Sequence, residues 1–345
     1  MKKEKLIINE VIDSGLIVED PNEKDYHSKL FEKSDTPMFG AISPLEKAPI
    51  IFPNGKGWHQ IATSYGNPEI QLNKNFDTYC CVLFGIAKAT CYYLFKRYGV
   101  KTSVSEMYNA FYARVEHGRG TSIRLGMESF RKYGWVEDRN YPFTAEMVLK
   151  DFYKRPPKEI QIMARGKLKK WKFRWEVIPV NLDSIKNQYK RTPVVLTGFA
   201  WASRNGIYYD NGRWANHCFL GLEVLDNGNN FCDDTYPKTF KYKENVQKDE
   251  LFKELHKSFK YASAHACWLE PIEEKKKLLT YFINMFKKIS RDTKGGFWFI
   301  KDGKKQKIED WEAMLGSIID EIGVEKNNLT DDDLAKLPDH KFFGK

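Results

Sequence analysis

One segment constrains this chain more than any other. CCVLFGIAKATCYYLFKRY, residues 80–98, carries apolar side chains at three- and four-residue spacing (Val82, Ile86, Ala89, Tyr93) and runs into Gly99, which fits a helix stop. The spacing predicts a long buried helix that opens on a cysteine pair. Val104 to Arg114 and Ser122 to Tyr133 read as two further helices, the second ended by Gly134. From about Glu176 the period changes. RWEVIPV, TPVVLTGFAW, NHCFLGLEVL, NNFCDDTY and SAHACWLEP read as strands separated by Asn, Gly and Asp turns. Helices first and an antiparallel sheet second predict an α+β fold of two facing halves.

The appendages follow from the punctuation. Residues 1–57 are poorly periodic and read as an extended N-terminal segment; residues 58–271 form the main domain. Pro271 marks a boundary. Beyond it, Ile272 to Arg291 reads as a helix, GGFWFIKDGKKQKI as a hairpin turning at Asp302-Gly303, and Glu309 to Ile322 as another helix. Thr330 can cap a last short helix. Residues 272–345 hold a single histidine, His340, and no cysteine, so chemistry is expected elsewhere.

Length and composition exclude several classes. At about 150 residues per domain, 345 residues suggest roughly two domains. Nine Trp, 18 Tyr and 23 Phe can fill a core, which argues against wholesale disorder. Six cysteines in this length do not describe a secreted disulfide framework. The N-terminal apolar run is broken by Asn9 and Glu10, and no stretch approaches the roughly 20 apolar residues of a membrane span. The expectation is a soluble protein with reduced thiols, no signal peptide and no membrane partner.

The net charge of +10 is local. Val148 to Arg191 carries 13 Lys/Arg against 4 Asp/Glu, an excess of 9, densest from Arg165 to Arg174. This stretch, about 150–191, reads as a basic hairpin insertion whose lysines face solvent and protect a sheet edge. Nucleic acid or another polyanion at Arg165–Arg174 is the less favoured reading, because no nucleic-acid motif accompanies it.

The chemistry-bearing pattern is a cysteine at a helix start, followed far downstream by a histidine and an aspartate. Cys81 heads the long helix, where the helix N-terminus and a histidine partner lower a thiol pKa and supply thiolate. His217 begins the strand NHCFLGLEV. Asp234 lies 17 residues later, on what should be the neighbouring strand, where it can accept from the second imidazole nitrogen. An oxyanion donor is also needed, and Gln71 is the candidate, together with the backbone N–H of Cys81. Asn73 or Asn75 are alternative amide donors. Cys91, Cys218, Cys232 and Cys267 sit among apolar neighbours and read as core thiols. His59, His117 and His265 read as surface or satisfied core histidines. No C-x-x-C or H-x-x-x-H spacing exists, so no metal and no cofactor is expected.

These segments resemble a papain-like cysteine peptidase. In that family a Gln precedes a nucleophilic Cys heading a helix C-W-A-F-S; here the helix reads Cys81-Val-Leu-Phe84-Gly. The family's glycine-rich cleft wall, a helix and G-x-x-x-E-x-x-Y-P-Y are similar to Gly118 to Phe143, and the resemblance implies Gly118 and Gly120 as substrate-binding backbone, against the plainer reading of a simple turn. N-H-A-V is similar to Asn216-His217-Cys218-Phe219, and N-S-W to Asp234-Thr235-Tyr236. The 136 residues from Cys81 to His217 fall in the family's window of about 130–150. The likeness covers about residues 58–270. It implies peptide-bond hydrolysis of a peptide or protein substrate by Cys81, His217 and Asp234. There are departures. Gln71 lies ten residues before Cys81, and an Asp stands where the family has Asn. The register of C-x-x-F favours Cys81 over the adjacent Cys80. The pattern FDT-x-x-C-V with a D-[ST]-Y ending resembles a divergent branch in bacteriophage genomes. That branch implies host cytoplasm or the assembled virion, with virion proteins contacting residues 1–57 and 272–345. The alternative is a catalytically inactive fold used as a structural or docking component of the particle.

Overall fold

The computed structural model describes residues 7–8, 16, 47–200, 202–210, 215–238, 246–272, 289–291, 297–301 and 304–307. The order of elements follows the change of period. After a short strand β1 (Ile7–Ile8) come the helices α1 (Trp58–Tyr65), α2 (Cys81–Tyr98), α3 (Glu106–Tyr112) and α4 (Ile123–Tyr133). Residues 81–94 of α2 are all buried; Gly99 ends the helix at φ 66°, and Lys96 and Arg97 oppose the negative end of its dipole. Ser105 and Ser122 start α3 and α4, their hydroxyls accepting from the backbone N–H of Tyr108 and Leu125. Gly126 lets α4 lie directly on α2. A methyl group there would come within 2.7 Å of Ile86 Cδ1 and 2.8 Å of Val82 Cγ1.

The basic stretch is not a hairpin. It comprises α5 (Leu149–Phe152), α6 (Lys158–Lys170), β2 (Trp171–Ile178) and α7 (Leu182–Gln188). KEIQIMARGKLKK is made mostly of good helix formers and starts after Pro156-Pro157, so it coils rather than pairs. Arg165–Arg174 therefore runs from the end of a helix into a strand, and Arg174 is buried against Glu270 at 3.2 Å.

The remaining strands are β3 (Val194–Gly198), β4 (Ala202–Arg204), β5 (Ile207–Tyr209), β6 (His217–Val224), β7 (Asn230–Asp233), β8 (Phe252–Leu255) and β9 (Tyr261–Pro271). Among the described residues they join β1 and β2 in one nine-stranded sheet of order β1-β4-β5-β8-β7-β6-β3-β9-β2. Its centre is antiparallel: β3 pairs with β6 (Gly198 opposite His217) and with β9 (Val195 opposite His265). β5 and β8 pair in parallel. α2 packs against this sheet at Gly85, where an added methyl group would sit 3.4 Å from Cys218 Sγ and 3.6 Å from Val195 Cγ1. The expected α+β arrangement is the one found.

A separate compact unit comprises residues 45–49 and 271–345. In it β10 (Ile289–Arg291), β11 (Phe297–Lys301) and β12 (Lys304–Lys307) form an antiparallel sheet, Trp298 opposite Lys307. Ile289–Arg291 was expected to end a helix and is instead a strand, because it pairs with Phe297–Phe299. The remainder of that helix, and those expected at 309–322 and after Thr330, lie outside the described residues, as does most of the N-terminal segment. Among the described residues no helix is long and apolar enough to cross a membrane.

Candidate active site

The nucleophile candidate sits where a tight turn delivers the chain into α2. Tyr79 adopts φ 52°, and its backbone N–H donates to Asp77 Oδ1 at 2.8 Å. Cys80 occupies the cap position, its carbonyl accepting from Leu83 N at 2.8 Å, and Cys81 is the first helical residue. Its side chain thus lies at the positive end of an 18-residue helix, a setting that favours thiolate. All six cysteines are unbridged and buried. Burial pushes the thiols of Cys80, Cys91 and Cys218 up, and those of Cys232 and Cys267 to about 12.

His217 is the first residue of β6, and Asp234 follows the last residue of the adjacent β7, so strand pairing brings them together. His217 Nε2 lies 2.5 Å from Asp234 Oδ1, which also accepts from Thr235 N at 2.7 Å. A neutral ring that donates from Nε2 to this carboxylate has Nδ1 free of a proton. Burial pulls the His217 pKa well below its ordinary value; Lys253 and Lys88 add to this and Asp77 opposes it. Burial thus disfavours the imidazolium form. Cys81, His217 and Asp234 are each 0% exposed.

Three residues without an assigned role in the sequence surround this pair. The Tyr236 ring lies 5.2 Å from the His217 ring, centroid to centroid, and its hydroxyl donates to Asp77 Oδ2. Burial first, then the Asp77 carboxylate and the Cys81 thiol, push the Tyr236 phenol far up. Asp77 is itself raised by burial, against hydrogen bonds from Tyr236, Tyr79 and Gln71. Lys253, on β8, donates to Asp234 Oδ2 and to Tyr236 O. Asp77 and Tyr236 stood inside the quoted FDT and DTY motifs; Lys253 had no local signal at all.

Gln71 is fully buried beside this group. Its amide nitrogen donates to Asp77 Oδ1 and to Tyr236 Oη, both at 2.7 Å, and its carbonyl accepts from Thr235 Oγ1 at 2.8 Å. The alternative amides point elsewhere. Asn73 donates to the carbonyls of Thr144 and Met147, and Asn75 to those of Glu146 and Met147.

Gly118 and Gly120 take φ 82° and 77° in a tight loop closed by Gly120 N donating to Glu116 O at 2.7 Å. The loop meets the turn before α2 through His117, whose ring is 4.9 Å from that of Tyr79. Thr121, just beyond it, forms a parallel bridge with Leu16. Among the described residues no cluster of three His, Cys, Asp or Glu side chains is arranged to hold a metal ion.

No protein-family model matches the sequence, and the search of curated proteins finds no match. Solved structures do match. Xylellain, a cysteine protease from Xylella fastidiosa, superimposes with a TM-score of 0.50 at 12% identity, over 74% of this chain and 96% of that one. The cysteine protease and lectin-like domains of a surface-layer-associated protein of Clostridium difficile align with a TM-score of 0.49 at 9% identity, over 76% and 63%. Procathepsin L 3 of Tenebrio molitor larval midgut aligns with a TM-score of 0.44 at 14% identity, over 68% and 73%. On the xylellain match, the main unit of this chain has the fold of the papain-like cysteine proteases.

Proposed function

We propose that the chain is a cysteine peptidase that cuts a peptide or protein substrate through Cys81, His217 and Asp234. The observation that carries the reading is the His217–Asp234 pair at the joint of β6 and β7, combined with Cys81 at the head of α2. His217 Nδ1 takes the thiol proton, and the sulfur attacks the scissile carbonyl carbon. The C–N bond breaks, the leaving amine receives the proton from His217, and the acyl group stays on sulfur. Water, deprotonated by the same imidazole, then releases the acid and restores the thiol. The oxyanion is held by the backbone N–H of Cys81 and by Gln71, whose amide exchanges its bond to Asp77 or Tyr236 for the oxyanion as substrate binds. Gly118 and Gly120 present backbone groups to an extended substrate.

The setting proposed is a bacteriophage particle or its host cytoplasm, resting on the FDT-x-x-C-V and D-[ST]-Y pattern, with virion proteins as partners of residues 1–57 and 272–345. Arg165–Arg174 is not assigned a polyanion. A second reading, a docking component with this fold and no activity, is favoured by one observation: the three site residues are closed off from solvent. Hydrolysis of a mixed peptide library by the full chain, lost in Cys81→Ala, supports the first reading. Equal cleavage by both proteins, or none by either, removes it.

A further inference from the structure

We propose that Lys253 is a positioning residue for the peptidase site, its ammonium group pairing with the outer oxygen of Asp234 so that His217 faces a neutral ion pair instead of a bare carboxylate. The inference rests on the peptidase reading and adds a residue to it.

The geometry divides the two oxygens of Asp234 between two tasks. Oδ1 faces the imidazole and the backbone of Thr235. Oδ2 takes the Lys253 ammonium, which is 2% exposed at its side chain and stands opposite Cys232 across the β7–β8 pairing. The same ammonium donates 2.7 Å to the carbonyl of Tyr236, the residue whose ring lies on His217. One side chain therefore ties down two groups that contact the imidazole. A buried lysine must be paired, and it is paired here with the carboxylate next to the base.

The charge argument has a definite sign. A lone buried carboxylate at Nε2 stabilises imidazolium and would hold His217 protonated, unable to accept the thiol proton. The Lys253 charge cancels that field while leaving the hydrogen bond intact; because burial pulls the Lys253 pKa down to about 7, the cancellation is present below that pH and fades above it. Other charged groups face the same place. Asp77 reaches it from the turn before α2 and favours imidazolium. Lys88 of α2 donates to the Asp234 carbonyl at 2.5 Å and to Asp233 Oδ1 at 2.8 Å. Lys248 is engaged with Asp233 and Tyr92. Lys88 and Lys248 are thus matched to Asp233, and Lys253 is the cation on the Asp234 carboxylate.

The test is the pH dependence of Cys81 alkylation by iodoacetamide in the full chain, mapped by mass spectrometry, with imidazole nitrogen shifts followed alongside. Removing a positive charge raises both the thiol and the imidazolium pKa. Lys253→Met should move the midpoint up by about one pH unit. Asp234→Asn, which leaves the cation, should move it down. Asp234→Asn with Lys253→Met should return it to the wild-type value. If Lys253→Met does not fold, Asp234→Asn is compared with the double variant, which buries no lone charge. Equal midpoints in those two, or an unmoved midpoint in Lys253→Met with only a lower amplitude or melting temperature, would overturn the proposal. The two readings fail separately. Midpoints that move as expected in a protein that cleaves no peptide sink the peptidase reading alone. Unmoved midpoints in a protein that does cleave sink the role of Lys253 alone.

Discussion

His217 Nε2 and Asp234 Oδ1 stand 2.5 Å apart in a site from which solvent is excluded. That single contact sets the tautomer of the imidazole, joins β6 to the turn after β7, and places a carboxylate beside a buried ammonium. Its removal should therefore be felt both in stability and in thiol chemistry.

Asp234→Ala leaves Lys253 buried without its carboxylate and His217 without an orienting acceptor. Breaking a buried pair by removing one partner costs about 3–5 kcal/mol. Urea unfolding should show a loss of that size, larger than in Asp234→Asn, which keeps an acceptor for the ring. A loss below about 1 kcal/mol would mean that the pair is not formed.

Acid should unfold the protein partly through Asp233. Burial alone would raise its pKa, but Lys248 and Lys88 outweigh burial and hold it at about 2, below the ordinary 3.8. The folded state thus binds this proton more weakly than the unfolded one. The resulting stabilisation is present above about pH 4 and is lost as pH falls through 2. Its size is on the order of 2.5 kcal/mol, since each pH unit between about 2 and 3.8 is worth about 1.4 kcal/mol. Asp233→Asn should flatten the slope of stability against pH in that window; an unchanged slope would rule out this assignment.

Tyr236→Phe removes the hydroxyl that donates to Asp77 and accepts from Gln71. It leaves a half-buried carboxylate oxygen and a buried amide short of partners, at a cost of about 1–3 kcal/mol. Because the ring over His217 remains, the pH midpoint of Cys81 alkylation should hold while denaturant resistance drops. Equal resistance in the two proteins would contradict the hydrogen bonding described.

The N-terminal segment touches both halves of the site's surroundings. Ile7–Ile8 pairs with Ser203 and Ala202 on β4, and Leu16 bridges Thr121 beside the Gly118–Gly120 loop. A chain beginning at residue 47 should expose Cys81 more often and alkylate about tenfold faster, the equivalent of about 1.4 kcal/mol. An unchanged rate would show that these pairings do not limit access.

Much of the scaffold was legible because it is written in local period. The α2 helix shows itself in Val82, Ile86, Ala89 and Tyr93, and β6 in NHCFLGLEV. The adjacency of β6 and β7 follows from the short turn at Asn227–Asn229, and it carries Asp234 to His217. What escaped depends on partners distant in sequence. Lys253 lies in the alternating run FKEL, which locally reads as a strand with its lysine in water; only the pairing of β8 with β7 reveals the aspartate it meets. Lys88 offered a warning, a lone lysine in a helix apolar on every side, which can be buried only with a counter-charge. The basic stretch misled for the opposite reason. Its lysines suggested a solvent-facing hairpin, while the helix propensity of Lys158–Lys170 governs the backbone.

The most direct measurement is the mass of the intact protein after exposure to an epoxide thiol trap at neutral pH, with the adduct mapped by peptide sequencing. The account predicts one adduct, on Cys81, absent in Cys81→Ala. An adduct on Cys80, an adduct that persists in Cys81→Ala, or none at all in the folded protein would contradict it.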